Sequence, residues 1–448
     1  MRKIAALLSI LVLTFGAVAG FAADKEVRIL KSTTKGKPIP PGSIKFLGPD
    51  NHSLASYKAQ NHLSTATNQL IKTTALKAPA FHNGTALNTV PYFQSWFITG
   101  TRNSVYPYSM IGQSPPAGGT TALNNQMIPL VTVLLKGGVP LYTFDPTLAN
   151  DPQGSDISLT TLSPLYDATT TYPGPPADTG QEVDTAFRAS FNKVRAANWH
   201  TPLNHPSSSG VVWVQQLEYN SGDWACVAGE APPCTSFPVV NINTISNNFG
   251  LILAAENPPN STVPIIETDY VTAFIPNGGG CCVLGYHNAQ PGTNPPGANS
   301  VLVWTWATFI PHSNNPFAPF GDDVMVLSHE LAELYFDPFV ATTGTLVSPW
   351  FDGSVSFAQA NLEVGDVIEA MKSADVVYPV PLTPNGQAYT YTIQNTAQLD
   401  WFTRNPLNGG LYSWPNEHTL SQCAHVLSST PNWCYGEGSG GFYFGPPY

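Results

Sequence analysis

His329, Glu330 and Glu333 stand in the run Ser-His-Glu-Leu-Ala-Glu-Leu-Tyr-Phe-Asp-Pro at residues 328–338. An imidazole and a carboxylate four residues apart are neighbours on a helix, one turn above the other. Such a pair can hold a divalent cation. The intervening carboxylate lies one step round, where it can take a proton from water. In the parent pattern, His-Glu-x-x-His, two imidazoles ligate zinc and the Glu is the base. Zinc accepts a carboxylate oxygen at a similar distance, so Glu333 can stand where the second His would. The chemistry is metal-assisted hydrolysis: the metal acidifies water and polarises a carbonyl, and Glu330 takes the proton.

A third ligand must come from outside this helix. Asp337 lies roughly 12 Å along the axis from His329, at about 1.5 Å per residue, too far to share one ion. It reads as an acceptor behind the ligands or as a cap. The best candidate is Glu363 in Asn361-Leu-Glu-Val-Gly-Asp366, where Gly365 permits a sharp turn or a close approach. Asp366 then orients a ligand His from behind. His287, a lone loop His after Cys281 and Cys282, reads as a further supporting group. The expected set is therefore His329, Glu333 and Glu363 on the metal, Glu330 as base, and Asp337, Asp366 and His287 behind them. Zinc is the expected ion. Calcium is the alternative, although it prefers six to eight oxygens and rarely takes His.

The charge pattern points to the same place. Only 10% of the 448 residues are charged, with 18 bases against 29 acids and a net charge of −11. Ten of those acids fall within residues 321–375, beside a single base, Lys372. Carboxylates crowded without basic partners raise one another's pKa or bind cations. So few bases argue against non-specific nucleic-acid binding. The 10 Trp, 18 Tyr and 22 Phe supply a core and exclude wholesale disorder.

The elements that must position these groups can be read in outline. Val324, Leu327, Leu331 and Leu334 fall on one helical face, opposite His329 and Glu333. Asp322 or Asp323 can cap this helix and Pro338 ends it. Val183, Phe187, Phe191 and Val194 predict a helix near 181–197. Strands are predicted at 90–99, 127–135, 211–219, 263–275, 301–309 and 389–393. The strand at 301–309 runs into the His329 helix and suits a sheet edge that pairs with an extended peptide. Residues 144–182 read as a long loop. The fold class is α+β: one large β-rich domain over 86–448 with long irregular loops. Its metal-site segment is 301–375.

Residues 24–85 read as a loosely ordered lead-in. Arg2 and Lys3, the apolar run Ile4–Val18 and the small residues that follow form a signal peptide over 1–23. The chain is thus expected to be secreted, extracellular or periplasmic, with no membrane anchor. Six cysteines fit that compartment. Cys226 with Cys234 and Cys423 with Cys434 suit small-loop disulfides, whereas adjacent Cys281 and Cys282 are awkward to bridge.

The Ser328–Pro338 helix and the Leu-Glu-Val-Gly-Asp block at 362–366 resemble a group of secreted bacterial proteins. Gly280–His287, Tyr106–Gly112 and Trp401–Arg404 extend the resemblance. The His-Glu-x-x-Glu-x-x-x-Asp-Pro run is also similar, more distantly, to the plant phosphate-induced, or exordium-like, proteins. The resemblance implies that His329, Glu330, Glu333, Asp337, Glu363 and Asp366 act as one constellation in an extracellular protein. By analogy the helix is zincin-like. The first expectation is a zinc-dependent, peptidase-like hydrolase acting on a peptide or extracellular polymer. The second is a non-catalytic cell-surface protein with a structural metal, binding carbohydrate or wall polymer through its aromatic residues. The third is a buried polar network without a metal.

Overall fold

From Val301 to Phe309 the chain is apolar at almost every position. A strand with one covered face alternates apolar and polar residues, and a strand covered on both faces need not. In the computed structural model these residues belong to a 14-residue strand, Pro296–Phe309, inside a mixed sheet. The structure describes residues 27–31, 88–99, 104–149, 151–174, 177–191, 195, 197–206, 214–226, 238–276, 280–312, 315, 318, 321–339, 350–352, 357–359, 362–370, 376–403, 413–416 and 443–444. The expected signal peptide lies outside the described residues, as do Cys234, Cys423 and Cys434.

In chain order, the elements that build and surround the site are β1 (Val27–Lys31), β2 (Tyr92–Thr99), β3 (Ser104–Ile111), β4 (Asn124–Lys136), β5 (Val139–Phe144) and α1 (Glu182–Ser190). Then come β6 (Val214–Tyr219), α2 (Ile242–Glu256), β7 (Thr262–Asp269), β8 (Gly285–Thr293) and β9 (Pro296–Phe309). The last are α3 (Met325–Phe336), α4 (Val364–Ala370) and β10 (Tyr389–Gln394). The main sheet runs β1-β6-β4-β7-β9-β8. Its first five strands are parallel, and β8 joins β9 antiparallel and forms one edge. β4 pairs with β7 over residues 124–129 and, beyond that, antiparallel with β5.

Successive side chains of a strand point to opposite faces. Ile265, Val303 and Ala307 join one core with Phe187 of α1 and with Leu331 and Leu334 of α3. Their neighbours Ile266, Leu302, Trp304 and Trp306 join a second core with Ile245, Phe249 and Ile252 of α2. One curled sheet with helices on both faces thus organises a strand-rich domain, as the α+β reading expects. The strand at 301–309 is not an edge. It lies between β7 and β8, because both of its faces carry large apolar groups. The edge belongs to β8, which carries His287.

Other elements differ from expectation for local reasons. α2 lies in a stretch read as strands and loops, because Asn243, Asn247, Asn248 and Gly250 are weak helix formers. Burial of Ile245, Phe249, Ile252 and Leu253 outweighs that, and Asn241 caps the start by accepting from the Asn243 amide at 3.0 Å. The predicted strand at 263–275 breaks at Tyr270, whose φ is +56°. The loop at 144–182 includes a short helix, Asp156–Thr161. Within the expected lead-in, β1 is a strand of the main sheet. α1 ends at Ser190, short of the predicted 197.

α3 starts without a side-chain cap, and its N-cap position is Val324 rather than Asp322 or Asp323. Asp323 has a φ of +39° and accepts from the Thr392 amide of β10 at 3.0 Å. It also lies 3.1 Å from His312 Nε2. That carboxylate therefore ties the helix start to a strand. β3, β8, β9, β10, α1 and α4 all pack on α3, so each of its twelve residues is buried. The face bearing His329 and Glu333 is buried too, with His329 the most exposed residue of the helix.

The Cys281 and Cys282 sulfurs are in contact. Their Cα atoms are 3.0 Å apart, closer than in an ordinary disulfide. Among the described residues, no helix is long and apolar enough to cross a membrane.

Candidate metal centre

α3 contributes His329, Glu330 and Glu333. β8 brings His287 from the sheet edge, Glu363 stands just before α4, α4 itself brings Asp366 and Glu369, and β10 ends at Gln394. Two glycines allow these elements to close up. A Cβ on Gly365 would lie 2.4 Å from His329 Nδ1. A Cβ on Gly285 would lie 2.7 Å from Val326 Cγ1 and 3.1 Å from Glu330 Cγ. Side chains at either position would push α3 or its imidazole away.

His329 is held by acceptors at one ring nitrogen. Its Nδ1 lies 2.7 Å from Gln394 Oε1 and 3.2 Å from Glu369 Oε1. Both are acceptors, so Nδ1 carries the proton and donates it. Gln394 is fixed in turn, since its Nε2 donates to the Gly365 carbonyl at 2.9 Å and its amide donates to Ser328 Oγ at 3.1 Å. The other ring nitrogen, Nε2, presents a lone pair only when it carries no proton. It faces Glu333 Oε2 at 3.2 Å, Asp366 Oδ1 at 3.7 Å and Glu330 Oε1 at 3.9 Å. A lone pair and three carboxylate oxygens repel one another, and only a proton or a cation between them relieves this.

Glu333 is divided between its two oxygens. Oε1 accepts from the Gly365 and Asp366 amides, each at 3.1 Å. Oε2 points to both imidazoles, 3.2 Å from His329 Nε2 and 3.6 Å from His287 Nδ1. Burial pushes the Glu333 pKa well above the usual carboxylate range. His329 opposes that, while Glu363 and Asp366 add to it. Burial disfavours charge on His329, but Glu333, Glu369 and Glu330 outweigh it and hold that pKa well above its ordinary value. Without a cation, the cluster retains protons to limit its own repulsion.

Two groups of ligand atoms lie mutually within 4.8 Å: His287, Glu333 and Glu363, and His329, Glu333 and Asp366. All five residues are buried. The expected ligands His329, Glu333 and Glu363 are thus distributed over two overlapping groups. Asp366, expected behind the ligands, stands in the His329 group, and His287 stands in the other, on a strand rather than a loop. Glu330 lies beside both groups, with Oε2 3.3 Å from His287 Nδ1. Asp337 is the C-cap of α3, its amide donating to the Glu333 carbonyl at 2.7 Å, and joins neither group. Gln394 and Glu369 were not expected to touch His329. Glu369 had a signal in the acidic run; Gln394 had none. Together these buried imidazole nitrogens and carboxylate oxygens could hold a metal ion. No protein-family model matches the chain, and no curated protein or solved structure is significantly similar to it.

Proposed function

We propose that this chain is a divalent-metal hydrolase of zincin-like construction, acting in an extracellular or periplasmic space on a peptide or related carbonyl bond. The observation that carries this reading is the surroundings of His329 Nε2. Nε2 meets three carboxylate oxygens, a position that a proton fills in the metal-free chain and that an ion can take in its place, while Nδ1 is committed to Gln394. His329, Glu333 and Asp366 would hold the ion, with Glu363 beside them. When bound, it would acidify water and polarise the scissile carbonyl. Gln394 keeps the imidazole turned. The Gly365 and Asp366 amides hold Glu333 Oε1, which leaves Oε2 for the ion. Glu330 takes the proton, since it borders the ligands without belonging to either group. In the E330Q variant the metal stays and hydrolysis of a peptide library is lost. Equal hydrolysis by wild type and variant would sink the reading.

The burial of the centre favours a second reading. His329 is only 8% exposed and Glu330 only 5%, which suits an ion that braces α3, β8 and α4 without turning over a substrate. In that case the purified protein carries an ion, loses melting temperature with a chelator, and hydrolyses nothing in the same screen. The imidazoles weigh against calcium in either reading.

A further inference from the structure

We infer that the centre holds two divalent ions, bridged by Glu333. The inference rests on the cation-binding part of the reading above and goes beyond its single ion. Three observations carry it.

The first is the partition of the ligands. One group contains His287 and Glu363, the other His329 and Asp366, and Glu333 belongs to both. Neither group takes both imidazoles. A single ion bound by the two rings and Glu333 would draw them into one group. Each group instead offers three protein atoms, a ligand number that leaves a coordination position for water or substrate.

The second is the aim of the shared carboxylates. Glu333 Oε2 lies 3.2 Å from one imidazole and 3.6 Å from the other, while Oε1 is taken by two amides. Only one oxygen faces the ions, and it faces both positions. Glu330 spans the same pair, with Oε2 3.3 Å from His287 Nδ1 and Oε1 3.9 Å from His329 Nε2. A base so placed serves a substrate held between two ions, the arrangement of two-metal hydrolytic sites with ions about 3.5–4 Å apart.

The third is His287. It is 1% exposed, and its Nε2 has no hydrogen-bond partner. Core histidines normally satisfy both ring nitrogens. This ring turns Nδ1 to the carboxylates of α3, 3.3 Å from Glu330 Oε2 and 3.6 Å from Glu333 Oε2, so Nδ1 is the nitrogen an ion there would take, separate from the one on His329.

The test uses the full chain loaded with Mn2+ and then with Zn2+. Wild type is expected to show the multiline electron-spin spectrum of two coupled Mn2+ ions, and two Zn2+ per chain by plasma mass spectrometry. H287Q and H329Q, which retain side-chain volume, are each expected to halve the zinc content and replace the coupled spectrum with an isolated six-line one. One Zn2+ per chain in wild type, with H287Q unchanged, overturns the second ion and leaves the single-metal reading standing. No bound ion in wild type overturns both. The wild-type spectrum keeps the test independent of whether a variant folds.

Discussion

Gly365 lies against the imidazole of His329, and that contact has no room for a methyl group. Changing Gly365 to Ala should tilt the ring off Gln394 and weaken metal affinity by about tenfold or more, the range seen when groups supporting a ligand are disturbed. Competition against a chromophoric chelator reads this directly, and unchanged affinity would remove the ring contact from the account. The pairing of His329 with Glu333 was readable in the sequence, because one helical turn is local geometry. That Leu362–Asp366 would contribute carboxylates was also readable. Which carboxylate meets which imidazole was not, since that depends on how α4 lies on α3. Gln394 arrives on a strand from a distant part of the chain, so spacing around His329 carries no trace of it; His287 was named only as a supporting group, and its place beside Glu333 depends on where β8 lies.

At the level of elements, α3 and α2 make different demands on their side chains. Leu331 is fully buried, and Leu331→Ala is expected to cost about 2–5 kcal/mol. Leu251 on α2 is 52% exposed, and the same truncation there should stay within about 0.5 kcal/mol. Gly250, also on α2, has nothing within 4 Å of where a Cβ would sit, so Gly250→Ala should stabilise by about 0.5–1 kcal/mol. Urea titrations of the three variants check the set; a destabilising Gly250→Ala would mean that α2 is more confined than its surroundings indicate. β2, β4, β6, β7, β9, β10 and α3 could be read from apolar runs and helical spacing, whereas β1, β3, β5 and β8 were not expected as strands. α2 could not, because tertiary burial overrides its poor propensity. Nor could the parallel order of β1, β6, β4, β7 and β9, since pairing between distant strands leaves no local pattern.

Across the whole molecule, buried acids set an unusual response to pH. Burial pushes Glu182 and Glu267 up to about 8, against an ordinary value of 4.5. The folded chain keeps these protons where the unfolded chain has released them. Their contribution to stability is complete below about 4.5 and is lost as pH rises through about 8. The metal-free protein should therefore melt at a progressively lower temperature from pH 5 to pH 9, and Glu267→Gln should flatten the decline. A melting temperature that climbs over that window would contradict the assignment. Metal at a hundred times its Kd should restore about 2.7 kcal/mol, and a chelator should remove it. The acid-rich window with one lysine was visible from composition; that Glu182 and Glu267 lie buried was not, because isolated acids outside the motif look like surface residues.

The strand β1 has a consequence for solution behaviour. Five parallel pairs, from Val27 with Val214 to Lys31 with Glu218, seat it along the outer margin of β6, and the Lys31 ammonium lies 3.4 Å from Glu218. A bare strand margin is a template on which another chain can pair. With β1 in place, the open margin on this side is that of a five-residue strand ending in the exposed Lys31, the short and charged kind of edge that resists pairing. A chain trimmed past residue 31 would keep every ligand of the metal centre and expose a row of unpaired backbone groups. The damage would show first as particles growing in a light-scattering cell, before any loss at the metal.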